Sequence, residues 1–227
     1  MAKKISVIMP VYNERDSVAR TVALVRAVDL EKEIIAVDDG STDGTGEVLD
    51  QLAGPDLKVI HREKNAGKGA AIRLAIEHAT GDIVIVQDAD TEYDPQDYHR
   101  LVAPIREGRA EVVYGSRFRG SIEGMRFPNR MINKLLTCMA NLLFRAGITD
   151  EATCYKVFRT EVLREIPLRC ERFEFCPEVT AKVSKRHLRL VEVPISYRAR
   201  TYAQGKKVNW RDGFEAIWTL LKYRFKD

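Results

Sequence analysis

The stretch GDIVIVQDADTEYD, from Gly81 to Asp94, places a run of apolar residues directly before a run of acids. The unbroken apolar segment at 83–86 is typical of a strand that is buried on both faces, as in a parallel sheet. Asp88, Asp90 and Glu92 follow at alternating positions. Carboxylates held this close make each other's ionisation costly unless positive charge lies among them. The stretch therefore predicts a buried strand that ends at a cation-binding site.

Strand and helix patterns alternate through the first half of the chain. Strands are predicted at 4–11, 33–39, 57–61, 82–87 and 111–116, with helices at 14–28, 42–52, 70–80 and 95–107. This alternation predicts an α/β fold with a Rossmann-like, mostly parallel sheet flanked by helices. Ligands bind such sheets beyond the carboxyl ends of the strands, and most of these strands end in polar or charged residues. Those residues are expected to share one rim.

The alternation breaks in the second half of the chain. We expect a helix over 129–146 that stops at Gly147, a short strand over 154–158, and helical segments near 161 and over 178–185. The segment 187–198 is extended, and Pro194 favours an edge position for it. No repeat or linker divides the chain. The sequence predicts a single domain over 1–227, with one part at 1–120 and another at 121–227.

Composition limits the class of protein. A chain of 227 residues with 45% hydrophobic residues fits one globular domain with a substantial core. It contains no apolar run of roughly 18 residues or more, its N-terminus lacks a signal-cleavage pattern, and its four cysteines without CxxC spacing suit a reducing cytoplasm. Residues 182–227 contain 12 Lys and Arg against 4 Asp and Glu. This basic end indicates either an anionic partner or a solvated basic face.

The DAD motif, Asp88 to Asp90, is the most specific chemical signal. Two carboxylates at a strand end can reach one divalent ion, and the small Ala89 leaves room beside them. Oxygen ligands alone favour Mg²⁺ or Mn²⁺, usually shared with phosphate oxygens. We interpret the motif as a site for a metal that carries a diphosphate. The alternative is a loop of solvated acids.

Two glycine-rich segments are less specific. DDGSTDGTG (38–46) lacks the GxGxxG pattern of dinucleotide-binding folds, but Asp39 suits a hydrogen bond to a base or ribose. The alternative is an Asx turn with a helix cap. NAGKGAA (65–71) offers Lys68 and backbone amides at a helix start to a phosphate, or is a simple loop-to-helix turn.

Five motifs in order resemble the inverting family-2 glycosyltransferases: VIMPVYNE (7–14), VDDGSTDGT (37–45), NAGKGAA (65–71), QDADTEYDP (87–95) and GSRF (115–118). Within that family the chain is most similar to the dolichyl-phosphate mannose synthases and related polyprenyl-phosphate glycosyltransferases. The resemblance implies a GT-A fold. It also implies that 1–120 binds the nucleotide sugar and that 121–227 forms an acceptor-side and membrane-interface extension.

The resemblance assigns residues to the donor site. It implies that the nucleotide sugar is bound by Pro10, Tyr12, Glu14, Val37, Asp39, Lys68, Asp88 and Ala89. It implies metal ligation by Asp88, Asp90 and Glu92, with Asp90 also counted as catalytic. Mannose synthases usually have Gln where this chain has Glu92, so GDP-mannose and UDP-glucose both stay open as donors.

Basic residues suggest how an acceptor phosphate is bound. They are Arg117, Arg119, Arg126, Arg130, Arg198, Arg200, Lys206 and Lys207. Arginine binds phosphate through two hydrogen bonds, and the resemblance implies that Arg117 and Arg130 do so; Arg200 and Lys206 are assigned with them. Asp150, followed by Glu151, is expected to be a base or an orienter of arginines. A phosphate acceptor is already ionised, whereas a sugar hydroxyl needs a base.

The C-terminal segment carries an apolar stripe at helical spacing, flanked by basic residues: Trp210, Phe214, Ile217, Trp218, Leu221 and Phe225. This amphipathic helix is expected either to lie at a membrane interface or to pack on the core. The sequence thus predicts a metal-dependent, inverting transfer of sugar from a nucleotide sugar to a polyprenyl phosphate at the cytoplasmic membrane face. Homo-oligomerisation stays open.

Three alternatives remain. The first keeps the donor chemistry but uses a saccharide hydroxyl as acceptor, in surface polysaccharide assembly. The second is a nucleotidyltransferase that releases pyrophosphate. The third is a non-enzymatic, basic nucleic-acid-binding module, although no nucleic-acid motif is recognised and no nucleic-acid partner is expected.

Overall fold

The computed structural model describes residues 4–200 and 210–226. Seven strands form one sheet in the order β3-β2-β1-β4-β6-β5-β7. They are β1 (Ile5–Val11), β2 (Lys32–Asp38), β3 (Leu57–His61), β4 (Ile83–Val86), β5 (Val112–Glu123), β6 (Lys156–Arg159) and β7 (Leu190–Arg198). All neighbouring strands pair in parallel except β6, which runs antiparallel to both β4 and β5. The predicted, mostly parallel α/β sheet is confirmed.

Eight α-helices in the described residues accompany the sheet. They are α1 (Arg15–Arg26), α2 (Thr45–Leu52), α3 (Lys68–His78), α4 (Tyr98–Arg106), α5 (Phe127–Phe144), α6 (Thr160–Glu165), α7 (Phe175–Lys185) and α8 (Trp210–Phe225). The helices α5, α7 and α8 pack against one another. Within the described ranges, no helix combines the length and the apolarity needed to cross a bilayer.

The core lies along the central strands. The four residues of β4 are all fully buried, as the apolar run predicts. Gly81, just before β4, lies against β1 so closely that a Cβ there would be 2.8 Å from Lys4 O. Only glycine fits this approach of two backbones.

The antiparallel direction of β6 shapes the functional rim. Because β6 runs opposite to its neighbours, its first residue, Lys156, lies at the edge where β4 ends and pairs with Tyr114 of β5. The loop before β6 therefore joins the carboxyl-end rim of the sheet. This brings Asp150 to Arg117, in the middle of β5.

Several predicted boundaries differ from the structure. The helix α5 ends at Phe144 because Arg145 adopts a left-handed conformation (φ 54°), so Gly147 follows in the loop and does not stop the helix. The strand β5 continues to Glu123, seven residues past its predicted end, because β7 pairs with it on both sides of a register shift. Pro194 lies in β7, which is an edge strand as predicted.

Candidate active site

A cavity of about 1110 Å³ opens at the carboxyl-end rim of the sheet. Every predicted donor-binding and metal-binding residue lines it except Val37, which is fully buried in β2. Arg117, Arg200 and Glu151 also line the cavity, whereas Asp150 and Arg130 do not. Lys206 and Lys207 lie outside the described residues. The motifs found along the sequence thus converge on one concave site.

Two cations of the chain itself lie among the acids at this rim. Lys68 Nζ is 2.5 Å from Asp88 Oδ1. The Arg200 guanidinium contacts Asp90 Oδ2 at 2.9 Å and the two carboxylate oxygens of Glu14 at 2.9 and 3.1 Å. Arg200 is grouped by sequence with the acceptor phosphate. In the structure it lies instead among the acids Glu14, Asp88, Asp90 and Glu92, which we call the carboxylate centre. These two side chains therefore supply part of the positive charge that the sequence predicts among Asp88, Asp90 and Glu92.

Negative charge still dominates around Asp90. Burial, and then the charges of Asp88 and Glu92, raise the pKa of Asp90 to about 7, against the opposing effect of Arg200. A divalent cation would relieve this repulsion, and Mg²⁺ or Mn²⁺ needs only one or two carboxylates when phosphate oxygens complete its shell. The carboxylate oxygens of Asp88 and Asp90 are suitable ligands for such an ion.

Glu92 is used differently from the other two acids. Its Oε2 accepts a hydrogen bond from Tyr197 Oη at 2.8 Å, and its Oε1 accepts one from Arg200 N at 2.7 Å. Across residues 4–200 and 210–226, no three Asp, Glu, His or Cys side chains are arranged to hold a metal ion. In this structure Glu92 fastens the end of β7 to the rim.

Asp39 organises the part of the cavity that lies beyond the end of β2. Its carboxylate accepts hydrogen bonds from Gly67 N at 2.6 Å and Ala66 N at 3.1 Å, and Arg62 Nε lies 3.4 Å away. Asp39 therefore ties the end of β2 to the turn that precedes Lys68. Only 2% of its surface is exposed, at the wall of the cavity.

The neighbouring acids Asp38 and Asp43 hold local turns. Asp38 Oδ1 accepts a hydrogen bond from Ser41 N at 3.0 Å, and Asp43 Oδ1 accepts one from Thr45 N at 3.0 Å at the start of α2. The Asx-turn and capping interpretation therefore describes these two acids. Asp39 is the acid of this segment that faces the cavity.

The second and third amides of α3 already have partners. Gly69 N donates to Arg172 O at 3.0 Å, and Ala70 N donates to Glu171 O at 2.9 Å. The predicted contact between these amides and a phosphate is therefore not available in this arrangement. From this turn, Lys68 is the residue that presents positive charge to the cavity.

Arg117 and Asp150 form a buried, two-point ion pair. Arg117 Nε and Nη2 each lie 2.7 Å from a carboxylate oxygen of Asp150, and Arg117 N donates to the same group at 3.0 Å. Asp150 is fully buried, and Arg117 is 5% exposed. The geometry favours the orienting role for Asp150, which fixes Arg117 at the cavity wall. Arg130, on the exposed side of α5, has its Cζ 6.0 Å from the Phe118 ring centroid.

Gln87 at this rim was not predicted from the sequence, whereas Glu151 is the acid named there after Asp150. Gln87 is fully buried, and its Oε1 accepts hydrogen bonds from Tyr98 Oη at 2.7 Å and Tyr155 Oη at 2.8 Å. A polar residue at the end of an apolar strand was the available signal. Glu151 is also fully buried; burial raises its pKa, and its Oε2 has no hydrogen-bond partner.

Two exposed apolar stripes flank the outer end of the cavity. On α8, Phe214, Trp218, Leu221 and Phe225 are exposed by 66, 67, 37 and 86%, while Ala216, Leu220 and Tyr223 pack inward. On α5, Phe127, Met131, Leu135 and Leu142 are exposed by 73, 52, 48 and 80%. Four of the six residues of the predicted C-terminal stripe therefore face outward and do not pack on the core, and the side chain of Trp210 lies outside the described residues. Ile132, Leu136 and Ile217 line the cavity between these helices.

Comparison with known proteins assigns the family. Residues 6–167 match the family model described as glycosyl transferase family 2. A curated relative, polyprenol monophosphomannose synthase from Mycolicibacterium smegmatis, is 31% identical over 211 residues, which is 88% of this chain and 79% of that protein. This chain belongs to glycosyl transferase family 2. It is therefore a glycosyltransferase, as the motifs predict, and the non-enzymatic alternative is set aside.

Solved structures support the fold assignment. Glucosyl-3-phosphoglycerate synthase from Mycobacterium tuberculosis, solved with Mn²⁺, UDP and glucosyl-3-phosphoglycerate, has a TM-score of 0.74 at 21% identity, covering 97% of this chain and 80% of that one. Mannosyl-3-phosphoglycerate synthase from Rubrobacter xylanophilus has a TM-score of 0.75 at 20% identity, covering 97% and 72%. The predicted GT-A fold is confirmed.

Proposed function

We propose that this glycosyltransferase moves a sugar from a nucleoside-diphosphate sugar to a polyprenyl phosphate, with inversion at the anomeric carbon. One observation carries the proposal: a single cavity joins the carboxylate centre and Arg117 to the gap between two helices with exposed apolar stripes. The similarity to a polyprenol monophosphomannose synthase supports this acceptor class. The donor stays open between the GDP-mannose and UDP-glucose types.

The donor lies along the rim from β2 to β4. Tyr12 and Asp39 border the nucleoside, and Asp88 and Asp90 are the residues that would hold Mg²⁺ or Mn²⁺ for the diphosphate. When bound, such an ion offsets the negative charge that develops on the leaving diphosphate. Lys68 adds a fixed positive charge next to Asp88. The Mn²⁺ and UDP in the glucosyl-3-phosphoglycerate synthase structure support a divalent ion in this fold.

The acceptor phosphate lies near Arg117. A phosphate monoester is largely dianionic at neutral pH, so it attacks without losing a proton to the protein. Both carboxylate oxygens of Asp150 are engaged by Arg117, which supports an acceptor that needs no base. The role of the chain is then to orient the phosphate and to supply positive charge.

The lipid part of the acceptor suits the two stripes. Exposed basic residues, among them Arg130 and Lys134 on α5 and Lys222 and Arg224 on α8, accompany the exposed apolar side chains. Apolar residues with basic neighbours favour binding at the interface of an anionic bilayer. We therefore place the enzyme at the cytoplasmic membrane face, with α5 and α8 towards the lipid.

A saccharide hydroxyl acceptor is the second candidate. It is favoured by Glu151, whose Oε2 lacks a partner in a side chain that borders the cavity. A carboxylate with a raised pKa suits a general base for a hydroxyl.

Matched acceptors separate these candidates. The purified enzyme is given a labelled donor with Mn²⁺ and one of three acceptors: a short polyprenyl phosphate, the corresponding polyprenol, or a mixture of free saccharides. Labelled lipid and labelled saccharide are counted separately. Transfer to the phosphate alone, retained in Glu151→Gln, is the expected result. Transfer to saccharides but not to polyprenyl phosphate, abolished in Glu151→Gln, would replace the first candidate by the second.

A further inference from the structure

A buried carboxylate behind the cavity joins three segments of the chain. Glu178, on α7, is fully buried and accepts hydrogen bonds from Arg169 N at 2.8 Å, Cys170 N at 2.6 Å and Tyr223 Oη at 2.8 Å. Lys182 Nζ lies 2.5 Å from Glu178 and 4.6 Å from the Tyr223 ring centroid. Since Tyr223 belongs to α8, Glu178 fixes both α8 and the segment 169–172 to α7.

The segment 169–172 lies directly on the start of α3. Its Glu171 and Arg172 carbonyls accept the hydrogen bonds from Ala70 N and Gly69 N. A Cβ at Gly69 would lie 2.9 Å from Cys170 Sγ, so the two segments are in close contact. The first turn of α3 therefore cannot shift without segment 169–172.

Lys68 is the first residue of α3, and its neighbours on both sides are held. Gly67 N donates to Asp39 at 2.6 Å, and Gly69 N donates to Arg172 O at 3.0 Å. The side chain of Lys68, 18% exposed, then reaches Asp88 with its ammonium group at 2.5 Å. An unbroken set of contacts thus runs from Tyr223 through Glu178 and segment 169–172 to Lys68.

We propose that Tyr223 and Glu178 are positioning residues for the donor diphosphate, which act by holding Lys68 against Asp88. The inference rests on the proposed function and adds residues outside the cavity to the donor site. It also gives α8 a second role, because the helix that carries the outer stripe then helps to set the geometry of the donor site. Loosening Tyr223 is expected to weaken nucleotide binding without touching any group in the cavity.

The test compares two buried tyrosines that both bond to α7. Tyr223→Phe removes the hydroxyl that donates a hydrogen bond to Glu178. Tyr114→Phe removes a hydroxyl that lies 3.0 Å from Thr180 Oγ1 on the same helix. Affinity for GDP and UDP with Mn²⁺ is measured by calorimetry, and stability by thermal unfolding. Tyr223→Phe is expected to raise the Kd roughly 3- to 10-fold, whereas Tyr114→Phe leaves the Kd unchanged at a similar loss of stability.

A double-mutant cycle separates positioning from general loosening. If Tyr223 acts through Lys68, Tyr223→Phe adds no further loss of affinity in a Lys68→Met background. An unchanged Kd in Tyr223→Phe, or an equal fold-loss with and without Lys68, overturns the inference alone. Absence of nucleotide binding in the unsubstituted protein overturns the proposed function, and this inference with it.

Discussion

Two arginine–aspartate pairs in this chain share a geometry but differ in surroundings. Arg117 contacts Asp150 at 2.7 and 2.7 Å, and Arg26 contacts Asp56 at 2.6 and 2.9 Å. The side chains of the first pair are 6 and 0% exposed, and those of the second are 34 and 45% exposed. The fold should therefore lose more stability when Asp150 is removed from Arg117 than when Asp56 is removed from Arg26.

We expect Asp150→Asn to lower the free energy of unfolding by about 3 kcal/mol, because a buried guanidinium loses its counter-charge. The matched control Asp56→Asn is expected to cost less than about 1 kcal/mol, since water solvates Arg26. Urea denaturation measures both. Equal losses would contradict the claim that burial makes Asp150 the orienter of Arg117.

The positions of some single residues were predictable from the sequence, and those of others were not. Asp88 and Asp90 were located correctly at the rim because a buried strand fixes where the next residues emerge. The contact between Arg200 and Glu14 spans 186 positions, and no local pattern signals it. Arg200 is therefore grouped with the acceptor phosphate by composition alone. The assignment of Glu92 to the metal stays a prediction, and its carboxylate accepts a hydrogen bond from Tyr197.

At the scale of the secondary-structure elements, Glu33 connects β2 to β1 and to the turn before β4. This residue of β2 accepts hydrogen bonds from Ser6 Oγ on β1 at 2.6 Å, and from Thr80 N at 2.6 Å in the turn before β4. Partial burial alone would raise the pKa of Glu33, but these bonds, with those from Thr80 Oγ1 and Lys4 Nζ, lower the pKa to about 2. The folded state therefore favours the ionised form.

The stability from ionised Glu33 is present above its unfolded pKa of about 4.3 and is lost as the pH falls towards 2. We expect the difference in unfolding free energy between the native chain and Glu33→Gln to shrink by about 2 kcal/mol between pH 5 and pH 2. Denaturation series at both pH values measure this change. A difference that does not vary with pH would contradict it.

The stripes on α5 and α8 make a prediction about lipid binding. Trp218→Ser and Phe225→Ser are each expected to weaken binding to anionic vesicles roughly tenfold, because each removes exposed apolar surface from α8. Leu24→Ser, at a residue 37% exposed on α1, is the control and is expected to leave binding unchanged. Co-sedimentation with vesicles measures all three. Equal effects at Leu24 and Trp218 would rule out α8 as the lipid-facing element.

The elements themselves were predictable where hydrophobic period was clear. The strands β1 to β4 and the helices between them lie within a few residues of their predicted positions. The direction of β6 was not predicted, because the residues of a strand do not encode which neighbour it joins. That direction brings the loop with Asp150 to the rim, so the pairing of Asp150 with Arg117 emerged only from the three-dimensional structure.

For the whole molecule, the two halves of the chain build one continuous site. Residues 1–120 supply the acids that follow β4, the turn before α3 and Arg117. Residues 121–227 supply Asp150, which holds Arg117, and the helices α7 and α8. Family membership followed from motifs in the first half. The proposed acceptor end lies in the second part, where the motifs are weaker and helix packing decides the shape of the cavity.

The most direct test of this account measures release of nucleoside diphosphate from GDP-mannose and UDP-glucose with Mn²⁺, with and without a short polyprenyl phosphate. The account predicts release from one donor only when the lipid phosphate is present, with loss of about 100-fold or more in Asp90→Ala, because Asp90 then no longer holds the ion beside the diphosphate. Release that is independent of the lipid phosphate, or unaffected by Asp90→Ala, would contradict it.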